Sequence, residues 1–491
     1  MKSSRLQTKV SESRIWTPRK YQAKSVKFVR ANPHAMLHHD PGLGKTSVML
    51  KHLCDMQEAG EAETMLVVAP LQVALSVWTG EVEKFSDTFG HLDVSVVCGK
   101  KAEREERASV WADVYVVNYE NMVWLLEFWE NHKDFKGWVP DILVCDESTK
   151  LKAAYKSKRF RFLKPRLPNF KRRYCLTGTP MPHSMLDLWS QTYVCDLGNA
   201  LDRRISAYRS KYFVQRGFGG YQWVLNPEIP DAAEQIFDAI APICERLDKL
   251  DHLDLPELVT QDIYIELPKD VLREYVKMER HCVAEITGGR VVAANAAAAT
   301  QKLRQMANGI VYGGVEVDDR FVGKVHDEKL KALCTLAEQL RDGALIVYEF
   351  TSEVEAIKSV LPQCSVVEVL GGSAPGATKT RKGVNDVIRR WNAGEVDFII
   401  LHPDAACHGL NLQDGGIHVI FFALSWKLEG YQQTIGRLWR DEKKHADHKI
   451  IVHHIIAQHT VDEDMVNTRE SKDTSQRVLL DAMKERTNRH G

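Results

Sequence analysis

An α/β protein of two lobes, each a mainly parallel sheet flanked by helices, is predicted from three features of this sequence. Continuous apolar runs of strand length recur between helix-patterned stretches; a glycine-bearing loop follows the first of them; and 491 residues exceed what one hydrophobic core usually serves. Ahead of that loop, residues Lys2 to Arg30 are basic with almost no acids. Thr17-Pro18 suits a helix start, and Val26 and Phe28-Val29 carry its apolar pattern. Gln22 falls roughly twenty residues before the loop, where an amide that both donates and accepts is suited to reading an adenine edge.

The loop is His39-Asp40-Pro41-Gly42-Leu43-Gly44-Lys45-Thr46. It follows the apolar run Ala35-Met36-Leu37, and Met49, Leu53 and Met56 after it fall at helical spacing. A strand, a glycine-bearing turn and a helix N-terminus in that order make a phosphate-binding loop. Gly42 and Gly44 let the backbone curl around Leu43 so that N–H groups face phosphate oxygens. Lys45 supplies positive charge, and the Thr46 hydroxyl is suited to ligating Mg²⁺. His39 stands where the general pattern has its first glycine.

Next comes Met65-Leu66-Val67-Val68-Ala69, stopped by Pro70, and a helical pattern through Val73, Val77 and Trp78 to Phe85. Val114 to Tyr119 is a further strand-like run. Another, Ile142-Leu143-Val144-Cys145, ends directly in Asp146-Glu147. Runs that do not alternate suit a parallel sheet covered on both faces, and the carboxyl ends of its strands are where such sheets bind ligands. Asp146 is thereby a candidate for holding Mg²⁺ and Glu147 for orienting or deprotonating an attacking water. Between Lys150 and Arg173 lie eleven Lys or Arg and no acid, with Tyr155, Phe160, Phe162 and Phe170 interleaved. Lys156, Lys158 and Arg159 in this run are candidate phosphate contacts of a nucleic acid. A second basic scatter runs from Arg203 to Arg216. Between the two, Leu176-Thr177-Gly178-Thr179-Pro180 reads as a strand entering a tight turn whose hydroxyls can bridge sites.

Basic and acidic side chains balance at 66 each, so a nucleic-acid surface has to be local. Ten cysteines occur without a C-x-x-C pair, and neither a signal peptide nor an apolar run near membrane-spanning length appears. The expectation is a reducing, cytoplasmic setting with no membrane partner. The stretch holding His445, His448, His453 and His454 mixes a charged turn with an apolar strand, Ile450-Ile451-Val452, which favours structure over a metal site.

In this order the segments resemble superfamily 2 helicases, and within them the Swi/Snf-type DNA-translocating ATPases, in the compact form of bacteriophage and prophage genomes. The resemblance is carried by Tyr21-Gln22, by Asp40 to Thr46, and by Val67 to Leu71 with Trp78 and Glu81. Asp146-Glu147-Ser148 and Leu176 to Pro180 with Leu188-Trp189-Ser190 complete the first half. That family also replaces the first loop glycine. The second half adds alternating strand and helix from Lys329, with runs at Ala344–Tyr348, Phe398–Leu401 and Val419–Phe422. It also carries Gly409-Leu410-Asn411-Leu412 and Gln433-Thr434-Ile435-Gly436-Arg437-Leu438-Trp439-Arg440. Two arginines three residues apart lie on one helix face, so Arg437 and Arg440 can both point across a cleft at one phosphate, and guanidinium forks suit charge spreading over γ-phosphate oxygens. By resemblance, Gln433 to Arg440 is the arginine-finger motif, and Gly409 with Asn411 the nucleic-acid-coupled motif of the second lobe.

The resemblance implies two RecA-like lobes: 1–225 an ATP-binding lobe, 226–328 a helical connection and the start of lobe two, 329–470 the C-terminal lobe, and 471–491 a helical tail. It implies ATP and Mg²⁺ as cofactors, with Gln22, the Gly42–Thr46 loop, Asp146 and Gln433 binding nucleotide. Lys45, Glu147, Arg437 and Arg440 would be catalytic, and Trp78, Thr177, Gly178 and Thr179 would couple to nucleic acid. The implied activity is a DNA-dependent ATPase moving as a monomer on double-stranded DNA, alongside phage or host replication or recombination proteins. Shared motifs do not say whether strands part, so a strand-separating DNA or RNA helicase stays an alternative. A nucleotide-gated binding subunit without turnover is a more distant one.

Overall fold

The computed structural model describes residues 14–151, 157–181, 184–216, 222–287, 293–313, 321–371, 374–378, 380–403, 410–426, 428–440 and 449–468. The chain forms two compact units that part between His252 and Leu253.

In the first unit the strands are β1 (His34–His39), β2 (Met65–Ala69), β3 (Val94–Val96), β4 (Val114–Asn118), β5 (Ile142–Asp146) and β6 (Arg172–Thr177). An antiparallel pair, β7 (Phe213–Arg216) and β8 (Gln222–Leu225), precedes β9 (Cys244–Leu247). All but that pair form one seven-stranded sheet in the order β3-β4-β2-β5-β6-β1-β9, parallel throughout. The continuous apolar runs explain why. Successive side chains point to opposite faces of a strand, and both faces here meet a core. Leu66, Val68, Tyr115, Val117 and Leu143 join one cluster, while Met65, Val67, Val114, Val116 and Ile142 join the other. Helices α1 (Lys20–Ala31), α2 (Lys45–Glu58) and α3 (Leu71–Lys84) begin the layers over that sheet.

The second unit repeats the plan. Its strands are β10 (Leu258–Ile265), the hairpin β11 (Ile310–Gly313) and β12 (Phe321–Lys324), then β13 (Gly343–Val347), β14 (Val367–Leu370), β15 (Phe398–Leu401), β16 (Gly416–Phe421) and β17 (Ile450–Ala457). Six of them form a parallel sheet ordered β10-β17-β16-β13-β15-β14, again between two apolar clusters. Trp391 is wholly buried beneath it, its indole N–H donating to Leu412 O at 2.7 Å.

Segment 226–328, expected to be a helical connection and the start of lobe two, contains long helices at Lys269–Thr287 and Ala293–Asn308. It also supplies an edge strand to each sheet, β9 to the first and β10 to the second. Neither announces itself by an apolar run. β9 carries Glu245 and Arg246, and β10 has only partly buried or exposed residues, as an edge strand can. Of the histidine-rich stretch, His453 and His454 are strand residues. His453 bonds the ring of His418 at 3.0 Å, and His454 bonds Asp262 at 2.7 Å. His445, His448 and the expected tail 471–491 lie outside the described residues. Cys54, Cys98, Cys145, Cys175, Cys195, Cys244, Cys334 and Cys364 are free thiols. No described helix is long and apolar enough to cross a membrane.

Candidate active site

Three strand ends of the first sheet converge on one edge. Strand β1 runs into the loop, β5 ends at Asp146, and β6, which pairs with both, ends at Thr177. Gly42 and Gly44 have φ values of 95° and 77°, a left-handed backbone that glycine adopts without a side-chain clash. Gly44 is the residue before α2, and a Cβ there would lie 2.4 Å from Gln22 Nε2. Lys45 and Thr46 occupy the first turn of α2, where unpaired backbone N–H groups gather. Lys45 Nζ donates to His39 O at 2.7 Å, folded back onto the carbonyl that begins the loop. Ser47 hydrogen-bonds Glu81 of α3.

Gln22 is buried against this loop. Its Oε1 accepts from Arg19 N at 2.9 Å and its Nε2 donates to Leu43 O at 3.2 Å. The amide expected to face adenine is thus engaged by the start of α1 and by the loop backbone. Beside it, Tyr21 stacks on His252 at 4.8 Å, on the wall of a cavity of ≈ 570 Å³ that Lys24 and Arg246 also line. His252 has no signal in the sequence, because nothing local marks a residue that meets Tyr21 across 231 positions.

Asp146 is buried at the end of β5 and held from three sides. Trp78 Nε1 donates to its Oδ2 at 3.1 Å, Glu147 N to its Oδ1 at 3.0 Å, and the Tyr119 hydroxyl to its carbonyl at 2.9 Å. Trp78, expected to couple to nucleic acid, is wholly buried, so its direct contact is with this carboxylate. Glu147, partly exposed, has φ 48°, a left-handed conformation rare for a residue with a side chain. Burial pushes the Asp146 carboxyl up, opposed mainly by the positive charge of Lys45. Burial likewise pushes Lys45 down, opposed by Glu147, Asp146 and Asp40. The two carboxylates and the ammonium therefore feel one another in a poorly hydrated place, which strengthens their interaction.

At the end of β6, Thr177 is buried and its hydroxyl accepts from Thr179 N at 3.1 Å. A Cβ on Gly178 would come within 2.7 Å of the Pro41 ring, so this turn lies directly on the phosphate loop. These residues fit a nucleoside triphosphate with Mg²⁺: a glycine cradle, a lysine at a helix start, and a hydroxyl and a carboxylate on the same side of the sheet's end.

The remaining expected residues are less uniform. Lys158 and Arg159 are exposed at the start of a short helix, and Arg159 makes a surface ion pair with Glu120 at 3.2 Å; Lys156 lies outside the described residues. Arg173, in the same basic run, is structural: its buried guanidinium donates to the carbonyls of Leu167, Phe170, Val194 and Cys195. In the second unit, Gln433 is buried in the helix Leu428–Ile435. Arg437 and Arg440 were expected on one helix face, but the helix ends at Ile435; Arg437 stands in the turn that follows and Arg440 beyond it. Past the helix end the backbone closes in a tighter turn, Leu438 N donating to Ile435 O at 3.1 Å. Arg437 N donates to Thr434 O at 3.1 Å, and Arg440 Nε to Gly436 O at 3.0 Å. Asn411 is exposed, its carbonyl accepting from Asn392 at 3.0 Å, and Gly409 lies outside the described residues.

A parallel α/β unit with a phosphate loop and an acidic pair on the same sheet edge defines a nucleotide-binding protein of the P-loop class. Protein-family models narrow this: an SNF2-related domain matches residues 21–309 and a helicase conserved C-terminal domain matches residues 328–442. The chain belongs to the SNF2-related ATPases that carry a helicase C-terminal domain. It is 32% identical over 480 residues to protein p41 of Acyrthosiphon pisum secondary endosymbiont phage 1, covering 96% of this chain and 99% of that protein. It is 25% identical to Bacillus subtilis YwqA, which bears the name of an ATP-dependent helicase/translocase; the match covers 95% of this chain and 49% of YwqA. A solved Sulfolobus solfataricus SWI2/SNF2 ATPase core in complex with dsDNA is 22% identical, with 97% of this chain and 96% of that one covered and a TM-score of 0.42.

Proposed function

We propose that this protein is an ATP-hydrolysing motor that translocates on double-stranded DNA. The observation that carries the reading is the meeting of Lys45, Asp146 and Glu147 at one edge of the first sheet, with the phosphate loop cradled between Gln22 and Gly178. ATP places its phosphates on the Gly42–Thr46 loop. Thr46 and Asp146 hold Mg²⁺, which when bound neutralises phosphate charge. Lys45 leaves the His39 carbonyl for the phosphates, Glu147 orients and deprotonates the attacking water, and Arg437 and Arg440 stabilise charge on the γ-phosphate during transfer. Exposed bases such as Lys158 contact the DNA backbone, so binding falls steeply with salt. The setting is the cytoplasm, of the host for a phage protein, beside replication or recombination proteins.

The test is ATP turnover by wild type and Lys45→Ala without nucleic acid, and with duplex DNA, single-stranded DNA or RNA at matched phosphate concentration. Duplex DNA stimulates wild type most, and Lys45→Ala abolishes turnover. Greater stimulation by single strands or RNA would replace the translocase with a strand-separating helicase. Absence of turnover in all four conditions would end the motor reading.

A further inference from the structure

The base of the phosphate loop is held from outside by a strand that none of the motifs above includes. β9 pairs with β1 from Met36 to His39, and Asp40 N extends the ladder onto Leu247 O at 3.1 Å. Arg246 Nη1 donates to His38 O at 2.8 Å and lies 2.7 Å from Asp40 Oδ1. The other Asp40 oxygen accepts from Lys249 N at 3.2 Å. Glu245 Oε2 meets His39 Nε2 at 2.8 Å, and both side chains are buried. Three consecutive residues, His38, His39 and Asp40, are thus each tied to Glu245–Lys249. The His39 carbonyl between them is the resting place of Lys45 Nζ.

We propose that Arg246, seconded by Glu245, is a positioning clasp of the phosphate loop and links its conformation to the segment by which the chain leaves the first unit. A guanidinium that bonds a backbone carbonyl and a carboxylate two residues on fixes the intervening dihedrals, whereas an alkyl chain there leaves them free. Those dihedrals set where Gly42, Gly44 and Lys45 point. The first unit ends at His252, five residues after β9, so a loop that is ordered by phosphate also orders Lys249–His252 through the same contacts.

The proposal rests on the reading that this loop binds ATP, and its first readout needs no nucleotide. Hydrogen exchange of the full chain is compared for wild type, Arg246→Ala, Arg246→Lys and Glu245→Gln. Exchange over residues 38–46 speeds about tenfold in Arg246→Ala, less in the other two, while β2 is unchanged, because only a local opening is made easier. In turnover assays KM for ATP then rises about tenfold while kcat moves less, as expected when contacts made equally in ground and transition states are loosened. Adding ADP slows exchange at Lys249–His252 in wild type and not in Arg246→Ala. Wild-type exchange at the loop in Arg246→Ala, or equal acceleration in β2, overturns the clasp. If Arg246→Ala does not fold, Arg246→Lys decides, and wild-type exchange and KM there overturn it. A wild-type protein that turns over no ATP defeats the proposed function alone, since exchange still judges the clasp. Arg246 also lines the cavity beside Tyr21, and the nucleotide-free readout separates clasping from a direct ligand contact.

Discussion

Glu147 is held at φ 48° directly after a buried strand. A left-handed backbone costs a non-glycine residue about 1 kcal/mol or more and persists where the surroundings over-determine it. Here they do: its N–H bonds the Asp146 carboxylate, and its carbonyl accepts from Lys150 N at 3.0 Å. Glu147 is partly exposed, whereas Asp146 just before it is buried. The proposed division of labour, Asp146 for a cation and Glu147 for water, rests on that difference in exposure. Glu147→Gln keeps the size and turn of the side chain but cannot take a proton. It is expected to bind ATP within about threefold of wild type and to lose turnover by roughly 10²-fold or more, measured by nucleotide titration and phosphate release. Undiminished turnover would remove Glu147 from the role of base.

Helix α3 contributes to the site through its packing. Its apolar face buries Val73, Ala74 and Trp78, and the indole reaches past β2 to Asp146 of β5. From the next turn, Glu81 bonds Ser47 of α2. One helix therefore braces both the buried Asp146 carboxylate and the helix that begins with Lys45 and Thr46. Trp78→Phe keeps most of the buried area and removes the single donor. A hydrogen bond to a charged group contributes about 1.5–3 kcal/mol, so a loss of stability of that order is expected in chemical denaturation, with turnover reduced about tenfold. A variant with wild-type stability and turnover would show that the indole N–H is dispensable. At this same scale β9 and β10 explain the difficulty of locating a domain boundary from pattern alone. Both are edge strands, and their mixed polar and apolar side chains resemble a connecting segment.

Across the whole molecule, buried histidines set its response to acid. Burial holds His38 and His52 down at about 3, and His34 and His453 at about 4, against an ordinary 6.5. A folded pKa below the unfolded one means that protons bind the unfolded chain first, so stability is present above pH 6.5 and is lost as pH falls below it. By pH 5 the wholly buried His38 and His52 each forfeit about 2 kcal/mol, at about 1.4 kcal/mol per pH unit. Glu353 acts in the opposite sense. Burial raises it to about 6, so its contribution falls as pH rises from 4.5 to 6. Burial also holds His39, His326 and His418 down, and pushes Asp146 and Asp196 up; the seven histidines outweigh the three carboxyls, and the urea midpoint is expected to drop between pH 7 and pH 5. An unchanged midpoint would mean that the histidines gain partners on protonation. Four of the seven, His34, His38, His39 and His52, lie in the first unit, which is expected to open first in hydrogen exchange at pH 5.

Local chemistry alone determined the phosphate loop, the acidic pair and the strand runs between apolar layers. A glycine that must curl, a lysine at a helix start and a strand buried on both faces each demand particular residues at short spacing, so they are legible in order along the chain. What only the tertiary structure decided are contacts made across long separations by residues of ordinary type. Trp78 bonds Asp146, 68 residues away; Tyr21 stacks on His252; and Arg246 meets Asp40 across 206 positions. Arg437 and Arg440 were legible as a motif, but not the helix end at Ile435 that precedes them, because spacing alone does not fix the last turn of a helix. Spacing encodes what one element does by itself, whereas the partner that a buried polar group finds depends on which strand the fold lays beside it.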